Sequence, residues 1–300
     1  MKPPAGTPEI RFICESRAMR RFVMELENAA ASDVPVLIWG EPGVGKERAA
    51  RVLHRLSGRE TKPLEVIRCS GLDGAALQAA LADVLPRARG GSVLLDGVEG
   101  LEADAQVELL RVLQSPLATA TSGLMPRRLR QAPRWISNAA AELEPLVRRG
   151  RLRRDLYHRL ALVRLHLPPL RARKADLPAL AAEVLAERIR SGAPCLSCEK
   201  EALALLCDSP WPGNVRELEG VILQAGWRAR EGVLRAADLE GLLSPAARDT
   251  AVQIPLVTSL AVAEQVLLRA TLAALGGNKK RTAEALGISR RTLYLKLGRT

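Results

Sequence analysis

The chain has 300 residues, enough for one large domain or two smaller ones with a small appendage. It is 47% hydrophobic but only 3% aromatic, so leucine, alanine and valine must build most of its core. Its net charge of +12 favours an anionic partner, nucleic acid more often than a membrane, with a generally arginine-rich composition as the alternative explanation.

Membrane insertion and secretion are not expected from this sequence, and we expect a soluble, cytoplasmic protein. No apolar run reaches the roughly 18 residues of a membrane span, and the N-terminus lacks the apolar segment of a signal peptide. The odd number of cysteines, five, fits reduced thiols. Cys195 and Cys198 form a C-x-x-C pair, but nothing nearby completes a zinc site, so ordinary cysteines at the start of a helix are the favoured interpretation.

From about Pro8 to Leu170, short apolar runs alternate with helical stretches, which predicts an α/β fold with a parallel sheet. The first and third runs are continuously apolar, as in strands that are buried on both faces. The predicted strands are, in chain order, VPVLIW (34–39), LEVIRC (64–69), SVLLD (92–96), PRWIS (133–137) and LVRLHL (162–167).

Helical periodicity replaces the strands after Leu170 and predicts a helical subdomain. It is followed by SPAARDTAVQIP (244–255), a polar, proline-bounded stretch that is typical of a linker. Beyond the linker, three short helical stretches run to Thr300, too few to form a large core alone.

The stretch GEPGVGKE lies between the first predicted strand and a helix, where a phosphate-binding loop belongs. Its glycines allow backbone N–H groups to turn toward phosphate oxygens, and its lysine can bridge the terminal phosphates. The generic motif has a Ser or Thr after the lysine to contact magnesium, and this chain has an acid there. The predicted nucleotide-binding residues of the loop are Gly40, Glu41, Pro42, Gly43, Val44, Gly45, Lys46 and Glu47.

Several blocks together resemble the AAA+ domain of bacterial enhancer-binding proteins, the activators of sigma-54 RNA polymerase. Besides the phosphate loop, they are LLRVLQ (109–114), GRLRRDLYHRL (150–160), LPPLRARKADL (167–177) and WPGNVRELE (211–219). An acid after the loop lysine is usual in that family, so Glu47 fits it. The resemblance implies an α/β nucleotide-binding subdomain at 1–171, a helical lid at 172–243, a linker at 244–257 and a Fis-type helix-turn-helix domain at 258–300.

The resemblance also implies roles for single residues. Lys46 and the loop backbone would hold the phosphates of ATP, Asp96 would hold Mg²⁺ directly or through water, and Arg216 would be the sensor arginine of the lid. Arg153 and Arg159 match arginine fingers that reach the nucleotide of a neighbouring subunit in a ring, a task that suits the planar, always charged guanidinium. A solvated basic helix face is the alternative for these two, because four further arginines crowd the same segment.

The chain departs from the family directly after Asp96, in GSVLLDGVEG (91–100). Gly97 stands where the family has a glutamate that polarises the attacking water. Glu99 is close in sequence, but the strand is predicted to end there, so the sequence gives rescue by Glu99 little support. Hydrolysis is therefore expected to be slow or absent.

Two further departures concern a loop and a sensor. Between the second strand and Gly90, the family inserts a long loop with the sequence Gly-Ala-Phe-Thr-Gly-Ala, which grips sigma-54. Here CSGLDGAALQAALADVLPRARG (69–90) predicts one short helical connection, and the motif occurs nowhere in the chain, so sigma-54 remodelling is not expected. The Thr-Asn sensor of the family is not reproduced in ISNAAAEL (136–143): either Asn138 serves after a local shift, or Ala140 holds the position and the sensor is lost.

The carboxy-terminal segment predicts a helix-turn-helix and resembles the Fis-type DNA-binding domain of the same family. Two helices flank a turn at Gly287, and Ser289 is a suitable N-cap for the second helix. Residues 278–300 hold seven Lys or Arg and one Glu, a net charge of +6 that fits phosphate neutralisation.

By that likeness the recognition helix carries Ser289, Arg290, Arg291, Thr292, Tyr294 and Lys296, with Arg281 and Thr282 near the DNA backbone. The sequence does not separate guanine contacts from phosphate contacts for the two helix arginines. The preceding helix, SLAVAEQVLLRATLAAL (259–275), has an apolar stripe that is expected to pair with its copy in a homodimer, with packing inside one chain as the alternative.

Two functional hypotheses follow. In the first, the chain is a DNA-binding transcriptional regulator with an ATP-binding AAA+ module that is deficient in hydrolysis and in sigma-54 remodelling; RNA polymerase or another regulator would be its partner. In the second, it is an active sigma-54-type ATPase that forms a ring and remodels RNA polymerase holoenzyme. The glycine after Asp96 and the missing loop favour the first, while the loop lysine, the finger arginines and Arg216 favour the second.

Overall fold

The computed structural model describes residues 12–115, 132–190, 197–229, 232–243, 260–274, 278–279, 282–283 and 286–297. The chain divides into two compact units, Met1–Leu243 and Ser244–Thr300. The predicted linker, 244–257, lies outside the described residues.

The first unit combines a parallel sheet with helices and a helical lid. Its helices are α1 (Arg17–Ala30), α2 (Lys46–Leu56), α3 (Gly74–Arg87), α4 (Ala103–Gln114), α5 (Glu144–Arg148), α6 (Arg154–Leu160), α7 (Leu177–Arg190), α8 (Lys200–Asp208) and α9 (Asn214–Arg228). Its strands are β1 (Val36–Trp39), β2 (Leu64–Arg68), β3 (Ser92–Asp96), β4 (Arg134–Ala139), β5 (Val163–His166), β6 (Ser197–Cys198) and β7 (Val233–Leu234).

The main sheet has the order β2-β3-β4-β1-β5, and every neighbouring pair in it is parallel. The predicted parallel α/β architecture is therefore confirmed. Since all the strands run the same way, their carboxyl ends lie at one edge, where ligands bind in open α/β sheets. At that edge Asn138 of β4 is in register with Asp96 of β3 on one side and with Ile38 of β1 on the other.

Two separate cores cover the two faces of this sheet. Leu37, Val93 and Leu95 belong to the core that includes α3, α4 and α6. Ile38 and Leu94, their neighbours along the strands, belong to the core that includes α1 and α2. Successive side chains of a strand point to opposite faces, so two buried faces require the continuous apolar runs seen in the sequence.

A third core holds the lid together, with Trp211 buried at its centre and its indole N–H donating to the Leu206 carbonyl at 2.8 Å. The lid also contains the two-residue parallel pair β6 and β7. Cys198 lies in β6 rather than at the start of a helix, and Cys195 lies outside the described residues. Among the described residues, no three His, Cys, Asp or Glu side chains gather as a metal site would require, and no helix has the length and apolar character of a membrane span.

The second unit contains α10 (Leu260–Ala274) and α11 (Arg290–Leu297). Leu268, Ala283 and Leu293 form its small buried core. A turn precedes α11, and Gly287 in that turn has φ +65°, a left-handed conformation that glycine adopts without steric cost.

Candidate nucleotide site and nucleic-acid interface

The loop between β1 and α2 passes close to the lid. Gly43 has φ +77°, and a Cβ atom there would lie 2.2 Å from the carbonyl oxygen of Gly213. The Gly43 carbonyl accepts the Arg216 N–H at 3.2 Å. Glycine is thus required at this position both for its conformation and for the close approach of two backbones.

Two loop residues, Glu41 and Val44, accept hydrogen bonds from arginine side chains outside the loop. Glu41 forms a bidentate ion pair with Arg171 at 2.7 and 2.6 Å, and that hydrogen bonding lowers the pKa of the Glu41 carboxyl. Val44 is buried, and its carbonyl accepts a guanidinium N–H of Arg173 at 2.8 Å. These arginine side chains hold the loop in shape, which leaves its backbone and lysine for phosphate.

Lys46 is the first residue of α2, and its Nζ donates to the carbonyls of Gly40 at 2.7 Å and Glu41 at 3.0 Å. Burial lowers the pKa of Lys46, while the charges of Glu99 and Asp96 act in the opposite direction. The ammonium, at the N-terminal end of α2, therefore lies where an anionic phosphate is favoured by charge and by the helix dipole.

A cavity of about 390 Å³ opens beside Lys46 at the carboxyl edge of the sheet. One part of its lining is apolar and the other is charged, which suits a ligand with an apolar end and a charged end. The apolar part includes Phe12, Ile13, Leu180 and Val215, and the charged part includes Lys46, Asp96, Glu99, Arg216 and Glu219. Of the predicted loop residues, Pro42, Gly43, Val44, Gly45, Lys46 and Glu47 line it.

Asp96 and Asn138 lie side by side at the edge of the sheet. Asn138 Nδ2 donates to Asp96 Oδ1 at 3.2 Å, and Asn138 belongs to β4, which extends two residues past the predicted strand. Ala140 follows the strand, and its backbone N–H donates to the Glu99 carboxylate at 2.7 Å. Of the two alternatives for the sensor, this placement favours Asn138.

Gly97→Glu is expected to destabilise the first unit by roughly 1–2 kcal/mol, because Gly97 has φ +74° and a residue with a Cβ is strained there. A Cβ atom at this position would meet no atom within 4 Å, so the backbone and not crowding is the cause. Gly97→Asn should lose less, since asparagine tolerates the left-handed region. Denaturant titration of both variants measures their free energies of unfolding. If Gly97→Asn lost as much stability as Gly97→Glu, the prediction would be wrong.

The predicted arginines have different surroundings. Arg216 is in α9 and lines the cavity. Arg153, which is the N-cap of α6, and Arg159, near the end of that helix, are exposed and lie away from the cavity lining. Arg153 pairs with Asp155 at 2.8 Å on its own segment. An exposed guanidinium is available to a second subunit, which is what a finger in trans requires, but it also fits the alternative of a basic surface.

Sequence reasoning missed several residues of this cavity. Arg173 is buried, its pKa is lowered to about 10 by burial, and it lines the cavity while bonding to the loop. Glu219 also lines it, and burial raises the pKa of Glu219. Phe12 packs edge-on against Phe22, with ring centroids 5.9 Å apart. The block around Arg173, LPPLRARKADL (167–177), contains other charged residues, so its sequence did not single out Arg173, and Phe12 had no signal either.

In the second unit Ser289 caps α11, because its Oγ accepts the Thr292 N–H at 3.0 Å. Tyr294 is 55% exposed, and Lys279 Nζ lies 4.7 Å from the centre of its ring. Arg290 and Arg291 form the first turn of α11, whereas Arg281 lies outside the described residues.

Two of the predicted DNA-binding residues also make contacts inside the second unit. Thr282 is fully buried, and its hydroxyl donates to the Asn278 carbonyl at 2.8 Å. Lys296 pairs with Glu264 of α10, and the Lys296 carbonyl accepts from Gln265. Both residues therefore make contacts within the described part of this unit, Thr282 through its hydroxyl and Lys296 through its ammonium and its carbonyl.

The fold and the sites define the class: an ATP-binding AAA+ P-loop module with a helical lid, joined to a Fis-type helix-turn-helix. Family models match it in order: the Sigma-54 interaction domain at residues 12–166, the AAA+ ATPase lid domain at 171–254 and the bacterial regulatory protein Fis family at 259–299. The chain belongs to the family of transcriptional regulators with a Sigma-54 interaction domain, and the predicted fold class is confirmed.

Individual relatives agree with this assignment. The transcriptional regulatory protein ZraR of Klebsiella oxytoca is 35% identical over 99% of this chain and 71% of its own length. The Nif-specific regulatory protein of Azospirillum brasilense is 34% identical over 79% of this chain and 40% of its own length. NtrX from Brucella abortus, solved in complex with ATP, has a TM-score of 0.66 and 27% identity over 97% of this chain and 69% of its own.

Proposed function

We propose that the chain binds ATP with Mg²⁺ in the cavity beside Lys46, binds DNA through its second unit, and regulates transcription with slow hydrolysis and without remodelling sigma-54. The observation that carries the nucleotide part is the convergence of Lys46, Asp96 and Arg216 on one cavity, since they come from the loop, the sheet edge and the lid. The ATP complex of NtrX supports the same ligand by similarity.

The donors present fit Mg²⁺, which takes carboxylate oxygens together with substrate phosphates. Asp96 would hold the ion at the edge of the sheet. Glu47 also lines the cavity, but its carboxylate pairs with Arg51 at 2.7 Å. The ion would neutralise charge on the phosphates when bound.

The short link between β2 and β3 supports the loss of sigma-54 remodelling. Its helix, α3, has 14 residues, and residues 69–92 are all described, with no further helix or strand between β2 and β3. The Gly-Ala-Phe-Thr-Gly-Ala sequence is absent from the chain. The short link therefore supports the proposal that the chain lacks a gripping element between β2 and β3.

Slow hydrolysis is proposed because the residue after Asp96 has no side chain. Positioning of the attacking water is a large contribution to phosphoryl transfer, and a general base typically supplies about 10²–10⁴-fold. The cavity therefore favours binding of the nucleotide over its turnover.

DNA binding is supported by the match to the Fis family and by the charge of +6 on residues 278–300. The first turn of α11, with Arg290 and Arg291, would enter the major groove, and Ser289 and Thr292 lie beside it. A homodimer through α10 and a cytoplasmic location are part of the same proposal. Exposed residues of α10 include Val266 and Leu267, at 38% and 42%.

A second candidate function is that of an active sigma-54-type ATPase that assembles into a ring. The match of residues 12–166 to the Sigma-54 interaction domain favours it, and so does the exposure of Arg153 and Arg159 on α6. It requires turnover stimulated by assembly, and a stable contact with sigma-54 in the presence of ATP and Mg²⁺.

ATP binding is the first test of the proposal. We expect Lys46→Ala to weaken ATP binding roughly 10- to 100-fold, the value of a charge-assisted hydrogen bond. Calorimetric titration with a non-hydrolysable ATP analogue and Mg²⁺ measures this, and Lys62→Ala, at an exposed site, is the control. Absence of ATP binding in the unmodified chain would refute the proposal. ATP-dependent co-purification with sigma-54 would favour the second candidate.

A further inference from the structure

Glu99 reaches the nucleotide cavity although it lies three residues beyond Asp96. The left-handed conformation of Gly97 turns the chain into a short 3₁₀ turn, Val98–Gly100. Val98 is fully buried in the core that includes α3 and α4, which anchors this turn. The next side chain, Glu99, lines the cavity together with Lys46 and Asp96.

The Glu99 carboxylate is held by one oxygen only. Oε1 accepts the Ala140 backbone N–H at 2.7 Å, which fixes the side chain against the end of β4. Oε2 is buried and has no hydrogen-bond partner among the residues that the structure describes. A buried acceptor without a partner is costly, so a donor from a ligand or a water at this position would be favourable.

This carboxylate lies at the phosphate end of the cavity. Glu99 lines the cavity together with Lys46, the residue expected to meet the terminal phosphates, and its negative charge favours the charged form of Lys46. A water bonded to Oε2 would therefore be close to the group that ATP presents for attack. The arrangement supplies what Gly97 cannot, a carboxylate fixed beside the reacting phosphate.

We propose that Glu99 positions and deprotonates the attacking water, so that the slow hydrolysis of this chain depends on Glu99. In this step the water oxygen forms a bond to the γ-phosphorus, and its proton moves to the Glu99 carboxylate. The bond from the γ-phosphorus to the bridging oxygen breaks, and its electron pair leaves with ADP. The inference rests on the proposed binding of ATP in this cavity, and it assigns Gly97 the task of turning the chain so that Glu99 faces the phosphates.

Glu99→Gln in the full chain tests the proposal, because glutamine keeps an oxygen for the Ala140 N–H but is not a base. We expect turnover to fall at least tenfold, within the range of about 10²–10⁴-fold typical for a general base, while the Kd for the ATP analogue changes less than twofold. Phosphate release measures turnover, with Lys46→Ala defining the background. Glu102→Gln, at an exposed site three residues further on, is the matched control and should behave as the unmodified chain.

The possible failures are distinguishable. Turnover of Glu99→Gln within twofold of the unmodified chain would overturn the proposal and leave ATP binding intact. Background turnover in an unmodified chain that binds the analogue would also overturn it. A parallel loss of analogue binding in Glu99→Gln would assign the residue a structural role instead, and an unmodified chain without analogue binding would remove the proposed function as well.

Discussion

Gly43→Ala is expected to destabilise the first unit by roughly 2–5 kcal/mol and to weaken ATP binding by about tenfold or more. Two costs add: an L residue at φ +77° is strained, and the new Cβ would lie 2.2 Å from the Gly213 carbonyl oxygen. Because that neighbour is backbone, the loop and the lid must move apart. The backbone N–H groups that would receive phosphate move with the loop.

Gly71→Ala separates these two costs, since Gly71 has φ +72° but a Cβ there meets no atom within 4 Å. We expect this control to lose roughly 1–2 kcal/mol and to bind ATP normally. Denaturant titration gives the stabilities, and calorimetric titration gives the affinities. If the two variants lost equal stability, the close contact between loop and lid would not contribute.

Much of the fold could be predicted because local patterns determine it. Short apolar runs located the strands of the main sheet to within about two residues, and the runs of β1 and β3 are continuous because a strand buried on both faces needs this. The pair β6 and β7 was missed, because strands of two residues whose partners lie 36 positions apart leave no local pattern. The same pairing places Cys198 in a strand.

The candidate site was predicted in part. The loop and Asp96 were found from their positions at strand ends, and both line the cavity. Sequence reasoning gave little support to a catalytic role of Glu99, because the strand is predicted to end there. The position of Glu99 in the cavity depends on the backbone angle of Gly97 and on the burial of Val98. Such a turn arises from tertiary packing, which a linear pattern does not contain.

Contacts between the loop and the lid could not be predicted either, since they join residues about 170 positions apart. Asn214, which opens α9, is completely buried, and its Oδ1 accepts the Leu170 N–H at 2.7 Å. Its Nδ2 donates to the Pro42 carbonyl at 3.0 Å, across 172 positions of sequence. One amide side chain thus ties the phosphate loop, the start of the lid and α9 together.

Asn214→Ala is therefore expected to cost roughly 3 kcal/mol or more of stability, because it leaves a buried N–H and a buried carbonyl without this partner. Its backbone, at φ +57°, adds strain for alanine. ATP affinity should fall at the same time, since Arg216 is only two residues away and its N–H bonds to Gly43. Denaturant titration and binding of the ATP analogue measure the two effects.

Asn214→Gly distinguishes the amide from the backbone conformation. Glycine accepts the left-handed angle without strain, so this variant should recover about 1 kcal/mol relative to alanine and still lose the hydrogen bonds. Its ATP affinity should stay as low as that of Asn214→Ala, because both variants lack the side-chain hydrogen bonds that join the loop to the lid. If Asn214→Gly bound ATP as the unmodified chain does, the amide would stabilise the lid without setting the geometry of the loop, and Arg216 would reach the cavity by its helix alone.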